Sequence, residues 1–162
     1  MTESNVLQTP NLRLIPQTHA DVTAMIDAMS PAEKAQLSAD WLARYHASTA
    51  PDPWVHGFQI VHRDSGAVVG NCLFKAPPVD GVVEIAYGLH PEHWGKGYAT
   101  EAAKALVDFA FASGQVRVVR AHTLPQPNAS TRVLTKSGFL RVGEVIDPED
   151  GLVWRFERER RA

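Results

Sequence analysis

Between Tyr87 and Thr100 a strand-like run ends in the turn Trp94-Gly-Lys-Gly-Tyr98 and opens directly into an amphipathic helix. Gly95 and Gly97 stand where that helix begins. Without side chains there, backbone N–H groups can approach a ligand closely. The free donors and positive dipole end of a first helical turn then favour phosphate. Two common phosphate loops do not fit. A P-loop needs Ser or Thr after its lysine, but Gly97 follows Lys96, and a dinucleotide fingerprint needs a third glycine where Thr100 stands. Upstream in the same strand lies Glu84, the one carboxylate in the apolar run 82–89. His90 and His93 flank Pro91 with no third ligand at metal spacing, so they read as exposed loop histidines and no metal is expected. Cys72, inside a hydrophobic run, reads as a buried filler rather than a nucleophile.

The elements that must position these residues follow from periodicity. Residues 82–89 are apolar and β-prone, and Ala99, Ala102, Ala103, Leu106, Phe109 and Ala110 recur at helical spacing until Gly114. Residues 11–15 alternate as a short strand. Thr18 or Asp21 can cap a helix holding Val22, Met25, Ile26 and Met29, and Pro31 begins a second helix containing Leu37, Trp41, Leu42 and Tyr45. Residues 47–53 read as a loop. Segments 58–62 and 67–74 form a hairpin about the turn Arg63-Asp-Ser-Gly66. After the long helix come a strand over 116–123, a short helix over 130–136 with Gly138 as its C′ residue and Phe139 packed on Leu134, and an antiparallel pair over 141–145 and 152–157. This order makes a mixed-sheet α/β or α+β layer fold in one domain.

Composition agrees. A chain of 162 residues with 44% hydrophobic content can bury a core without metal or disulfide staples. The single cysteine excludes an intrachain disulfide, and no long apolar span is present, so a soluble, cytoplasmic setting without membrane contact is expected. The net charge of −2 lacks the basic footprint of a nucleic-acid binder. The charge-dense tail 155–161 carries both signs and reads as a solvated last strand.

The segment Trp94-Gly-Lys-Gly-Tyr-Ala99 resembles the acetyl-coenzyme-A loop of the GNAT superfamily of N-acetyltransferases, whose pattern is Gln or Arg, two residues, Gly, one residue, then Gly or Ala. Gly97 and Ala99 match. Trp94 departs from the pattern, but with Glu84-Ile-Ala-Tyr87 and the run from Pro91 to Ala102 it resembles the RimJ/RimL-like branch, the ribosomal-protein N-terminal acetyltransferases and their relatives, in which an aromatic often takes that position. A second stretch, from Pro125 to Phe139, is similar to the late Asn-x-x-Ser-x-x-Val-Leu-x-Lys-x-Gly-Phe segment of the superfamily, with Asn128 one place later than usual relative to Ser130. The resemblance spans about residues 9–157. It implies a mostly antiparallel mixed sheet with a splayed central strand pair and helices on both faces. It also implies acetyl-coenzyme A as cosubstrate, held by Tyr87, Gly88 and Leu89 in the strand, by Trp94, Gly95, Lys96, Gly97, Tyr98, Ala99 and Thr100 in the loop, and by Asn128 and Ser130. Asn128 or Ser130 would serve equally as a helix N-cap.

Acetyl transfer requires an amine that has lost its proton, a stabilised oxyanion and a departing thiol. Strand alternation puts Glu84 on the face of Ala86 and Gly88, opposite Ile85, Tyr87 and Leu89. There, partly desolvated among Val82, Val83 and Ile85, it is either the base or a carboxylate that anchors substrate or pairs with an arginine. The Leu89 N–H, beyond a bend at Gly88, is the expected oxyanion donor. Many superfamily members offer a tyrosine to the leaving thiol, but Leu134 stands at that position, which leaves Ser130 or Ser137 to donate through water. Trp41, Trp54 and His122 are the candidate acceptor contacts, with core packing as the alternative for the tryptophans. The acceptor is an amine, either a protein N-terminus or a small molecule, and a homodimer is compatible with the resemblance. A non-catalytic acyl-coenzyme-A-binding module and an interaction protein using the surface between Trp41 and Trp54 are the alternatives.

Overall fold

The computed structural model describes residues 6–47, 52–148 and 151–160. The elements in chain order are β1 (Leu7–Gln8), β2 (Leu12–Pro16), α1 (His19–Asp27), α2 (Pro31–Ala35), α3 (Ala39–Ala47), α4 (Pro53–His56), β3 (Phe58–His62), β4 (Val68–Phe74), β5 (Val82–Leu89), a 3₁₀ turn (Pro91–His93), α5 (Tyr98–Ala112), β6 (Val118–Thr123), α6 (Ala129–Lys136), β7 (Leu140–Asp147) and β8 (Gly151–Glu159). One eight-stranded sheet runs in the order β1-β2-β3-β4-β5-β6-β8-β7. Only the central pair β5 and β6 is parallel, as the long crossover through α5 requires.

The main core lies between the sheet and α5. Helix α5 buries Ala102, Ala103, Leu106, Val107 and Ala110, and its alanines let it lie close against Leu14, Ile60, Phe74 and Ile85. Each fully buried Leu, Ile or Phe side chain here contributes about 1.5–3 kcal/mol. On the opposite face α1 approaches the sheet, where the Asn71 amide meets the Met25 sulfur at 3.6 Å. A second, smaller cluster of Val22, Tyr45 and Val55 ties α1, α3 and α4 together.

The hairpin of β3 and β4, the long helix and the closing β7–β8 pair stand where the pattern puts them. The helix expected from Pro31 through Tyr45 is instead two. Ser30 and Glu33 form a capping box for α2, and the Ser38 hydroxyl accepts from the Trp41 N–H at 3.3 Å, starting α3 afresh and leaving Leu37 between them. Thr18 and Asp21 are not rival caps: Thr18 is the N-cap and Asp21 its reciprocal partner at N3, and Met29 lies past the end of α1. The expected loop over 47–53 is helical at both ends, since Ala47 closes α3 and Pro53 opens α4; residues 48–51 lie outside the described residues. Gly138, at φ 89°, ends α6. Its N–H donates to the Thr135 carbonyl and that of Phe139 to the Leu134 carbonyl, both orphan carbonyls of the last turn.

Candidate active site

The site begins where the central strands part. β5 and β6 pair only through Val82, Val83 and Glu84 with Val118, Val119 and Arg120, although β5 continues to Leu89 and β6 to Thr123. Each outer neighbour stays attached, β4 up to Leu89 and β8 up to Thr123, so a wedge opens inside the sheet. The hydrogen bonds Lys75 N–H to Glu84 carbonyl at 2.9 Å and His90 N–H to Val69 carbonyl at 2.8 Å direct the even-numbered residues of β5 toward β4. Antiparallel alternation then turns the N–H groups of Tyr87 and Leu89 into the wedge. Leu89 was the expected donor. Tyr87 is an equivalent one that strand alternation alone did not single out, because which edge would lie open was not visible before the sheet order was known.

At the open end of the wedge stands the glycine turn. Gly95 and Gly97 hold φ of 76° and 83°, the left-handed region, and a Cβ on either would meet nothing within 4 Å. Gly97 is the N-cap of α5 and offers no side-chain acceptor to the first-turn N–H groups, which remain available to a ligand. Trp94 explains its own departure from the expected Gln or Arg: its indole N–H donates to the Leu89 carbonyl at 3.0 Å and closes the loop, while the ring stays 64% exposed. Lys96 is exposed beside it, and Tyr98, Ala99 and Thr100 form the half-buried first turn of α5. The helix start is pinned from below. Glu101 accepts from the Thr9 hydroxyl at 2.6 Å, the Asn11 N–H at 3.0 Å and the Asn11 amide at 2.7 Å. Burial works against its ionisation, but those hydrogen bonds and His62 outweigh it and hold the carboxyl below its ordinary value. A lowered carboxyl contributes stability that is full above the unfolded-state value and is lost as pH falls through the folded one. Glu101→Gln is therefore expected to cost about 1–2 kcal/mol at pH 7 in urea melts, the difference shrinking as pH falls from the ordinary carboxylate value through the lowered folded one.

Glu84 sits at the vertex, on the last paired rung of β5, facing the α1 side with Ala86 and Gly88. Its Oε2 accepts from His122 Nδ1 at 2.8 Å and from Lys75 Nζ at 3.1 Å. The apolar pocket expected for it is thus a polar one: Val83 and Ile85 point to the other face, where they are buried. His122 joins Glu84, as a partner of the carboxylate. Trp41 and Trp54 do not join it. The Trp41 indole donates to the Val55 carbonyl at 2.9 Å and its ring stacks on Tyr45 in the small cluster. Trp54 packs against Phe74 and Phe109, on the α5 side of the sheet. Trp54→Ala is accordingly expected to lower stability by about 3 kcal/mol, with acceptor KM of the folded enzyme unchanged; thermal melts and steady-state kinetics on one sample read both.

On the far side of the wedge, Asn128 is the N-cap of α6, accepting from the Thr131 N–H at 3.0 Å, so the helix starts at Ala129. Ser130, in that first turn, hydrogen-bonds the Tyr87 hydroxyl across the wedge. Ser137 stands at the opposite end of the helix, buried, with its hydroxyl donating to the Val133 carbonyl at 2.7 Å. Leu134 is buried in the core. Burial pushes the Cys72 thiol up, as suits a filler. Above Gly88 a groove of about 570 Å³, lined by Ile15, Met25, Gln59, Asn71, Gly88 and Leu89 among others, opens on the Glu84 face. Among the described residues no group of three or more His, Cys, Asp or Glu could hold a metal, and no helix is long and apolar enough to cross a membrane.

Residues 11–140 match the model of the acetyltransferase (GNAT) domain, and the chain belongs to that family. It is 33% identical over 93 residues to the uncharacterized N-acetyltransferase p20 of Bacillus licheniformis, a match covering 57% of this chain and 52% of p20. The chain spans about half the length of the curated relatives it matches. Among solved structures, the ribosomal-protein-S5-alanine acetyltransferase from Vibrio fischeri superposes with TM-score 0.69 at 15% identity, over 95% of this chain and 96% of that one. The aminoglycoside acetyltransferase AAC(6')-Ib, solved with paromomycin and acetyl-coenzyme A, gives 0.64 at 20% identity, over 93% and 94%. These likenesses show the fold.

Proposed function

We propose that this protein transfers an acetyl group from acetyl-coenzyme A to a primary amine by direct attack in a ternary complex, and that it belongs to the RimJ/RimL-like branch. The observation that carries the reading is the wedge itself, with anion-binding donors at its mouth and an ionisable carboxylate at its vertex. The first turn of α5 with Gly95, Lys96 and Gly97 takes the pyrophosphate, and the wedge-facing edges of Tyr87 and Leu89 take the pantetheine arm and the acetyl group. Asn128 and Ser130 line the facing side.

In the reaction the amine nitrogen forms a bond to the thioester carbon as the C–S bond breaks. Charge developing on the carbonyl oxygen is met by a wedge N–H. At about 3.3 Å per residue, Tyr87 lies ~10 Å and Leu89 ~16 Å along the strand from Glu84, so Tyr87 is the donor nearer the base and Leu89 supports the arm. The amine enters over Gly88 and Ala86, where the strand carries almost no side chain, and passes its proton through water to Glu84. No acid is needed at the thiol, whose pKa near that of cysteine, about 8.5, lets it leave as thiolate. Fold likeness to an S5-alanine and an aminoglycoside acetyltransferase supports an amine acceptor of either protein or small-molecule origin. The test is free-thiol release from acetyl-coenzyme A across a panel of alanyl peptides, polyamines, aminoglycosides and alkylamines. Thiol release above the hydrolysis background with at least one amine is expected. Tight coenzyme binding with no turnover on any amine would leave a binding module instead.

A further inference from the structure

Across the β6–β8 ladder, His122 stands opposite Arg155, whose Nε–H donates to His122 Nε2 at 3.1 Å. A guanidinium can only donate, so Nε2 is the accepting nitrogen of the ring and the imidazole proton resides on Nδ1. From there it points to Glu84 Oε2 at 2.8 Å, the same oxygen that Lys75 Nζ approaches at 3.1 Å. Both partners converge on one carboxylate oxygen. Among the described residues Oε1 has none.

We propose that Arg155 is a positioning residue for acetyl transfer. By holding His122 as its Nδ1–H tautomer it makes the imidazole an orienting donor to Glu84 Oε2, excludes His122 as a competing base, and leaves Oε1 to take the amine proton. The proposal rests on the reading of Glu84 as the base. The N–H bond of the attacking amine breaks, its electron pair stays on nitrogen, an Oε1–H bond forms, and the acid returns its proton to water before the next cycle. The charged groups that share this face are Lys75 next to β4, Glu84 on β5, Arg120 beside His122 on β6, and Arg155 and Glu157 on β8, with Glu159 farther along β8 and Arg13 on β2. Arg120 is committed to Glu157, with Nη2 2.8 Å from Oε2, so Arg155 is the cation left to face the ring.

The tautomer is read directly by nitrogen-15 NMR of the labelled full chain. Proton attachment at His122 Nδ1 is expected, the reverse of the form that free histidine favours; attachment at Nε2 overturns the proposal. That measurement needs no variant and stands even if a substitution fails to fold. For Arg155→Leu, kcat/KM with the panel's fastest amine is expected to fall about 10-fold with coenzyme A affinity within about twofold, since a misoriented base forfeits part of its contribution. Arg155→Lys, which keeps a donor, should recover most of the rate. If Arg155→Leu is fully active while Glu84→Gln is crippled, the base stands and the positioning role is wrong. If Glu84→Gln is itself fully active, the base reading fails and takes this proposal with it.

Discussion

Glu84→Gln is expected to lower kcat/KM by about 10²-fold or more at neutral pH, the usual scale for losing a positioned base, while coenzyme A affinity stays within experimental error. The amide keeps the size of the carboxylate and can still accept from His122 and Lys75, so the strand should fold as before; what disappears is a site for the proton. Residual activity should climb with pH as more of the amine is already neutral in solution. The profile should show no descending limb from an enzyme phenol. Tyr87, the phenol beside the wedge, is pushed up to about 12 by burial despite the opposing effect of its Ser130 hydrogen bond, so it stays protonated throughout. Leu134 supplies none. Near-normal kcat/KM for Glu84→Gln would make Glu84 a structural carboxylate and return proton removal to water.

Gly97→Glu should abolish coenzyme A binding, seen as loss of the ligand-induced rise in Tm, because binding to the native state alone is what stabilises it. Two effects combine. The side chain enters the open space over the first-turn donors, and its charge repels the pyrophosphate. Left-handed φ adds a strain of about 1–2 kcal/mol for any residue with a Cβ, which must be separated from the ligand effect. Gly66, in the β3–β4 turn at φ 73° with equally open surroundings, provides the control: Gly66→Glu should share the strain and keep the affinity. Gly97→Asn, better suited to that φ, should weaken binding by steric filling alone. Full coenzyme affinity in a folded Gly97→Glu would exclude the loop as the phosphate site.

Much of this arrangement was legible in the chain. The alternation of 82–89 puts Glu84 with Ala86 and Gly88, and the register with β4 agrees, because that strand is regular and apolar on one face only. The start of α5 was legible from Gly97 because a glycine before a helical stripe has few other uses. The pairing of Glu84 with His122 was not, since 38 residues separate them and a parallel register sets the contact. A signal did exist. Arg120 and His122 alternate with buried Val119, Ala121 and Thr123 in β6, and Arg155 and Glu157 flank buried Phe156 in β8, which marks one continuous polar sheet face. The break between α2 and α3 was hidden because Leu37, Trp41 and Tyr45 keep helical spacing across it, although α2 closes with tight bonds from Gln36 to Glu33 and Leu37 to Lys34 before the Ser38 hydroxyl starts the next helix. Trp41 and Trp54, for which acceptor wall and core packing were both open, lie in α3 and α4 and pack into two different clusters, a separation that closeness in sequence does not reveal.

The parting of β5 from β6 places two raw strand edges in the middle of a sheet rather than at its rim. Exposed edges invite pairing with other chains, and proteins blunt them with charge, proline or cover. Here the edges face one another, each backed by an outer neighbour that stays paired, β4 on one side and β8 on the other. Because they lie between β4 and β8, the donors that open the site are kept away from the sheet's rim strands β1 and β7, where edge-to-edge association would start.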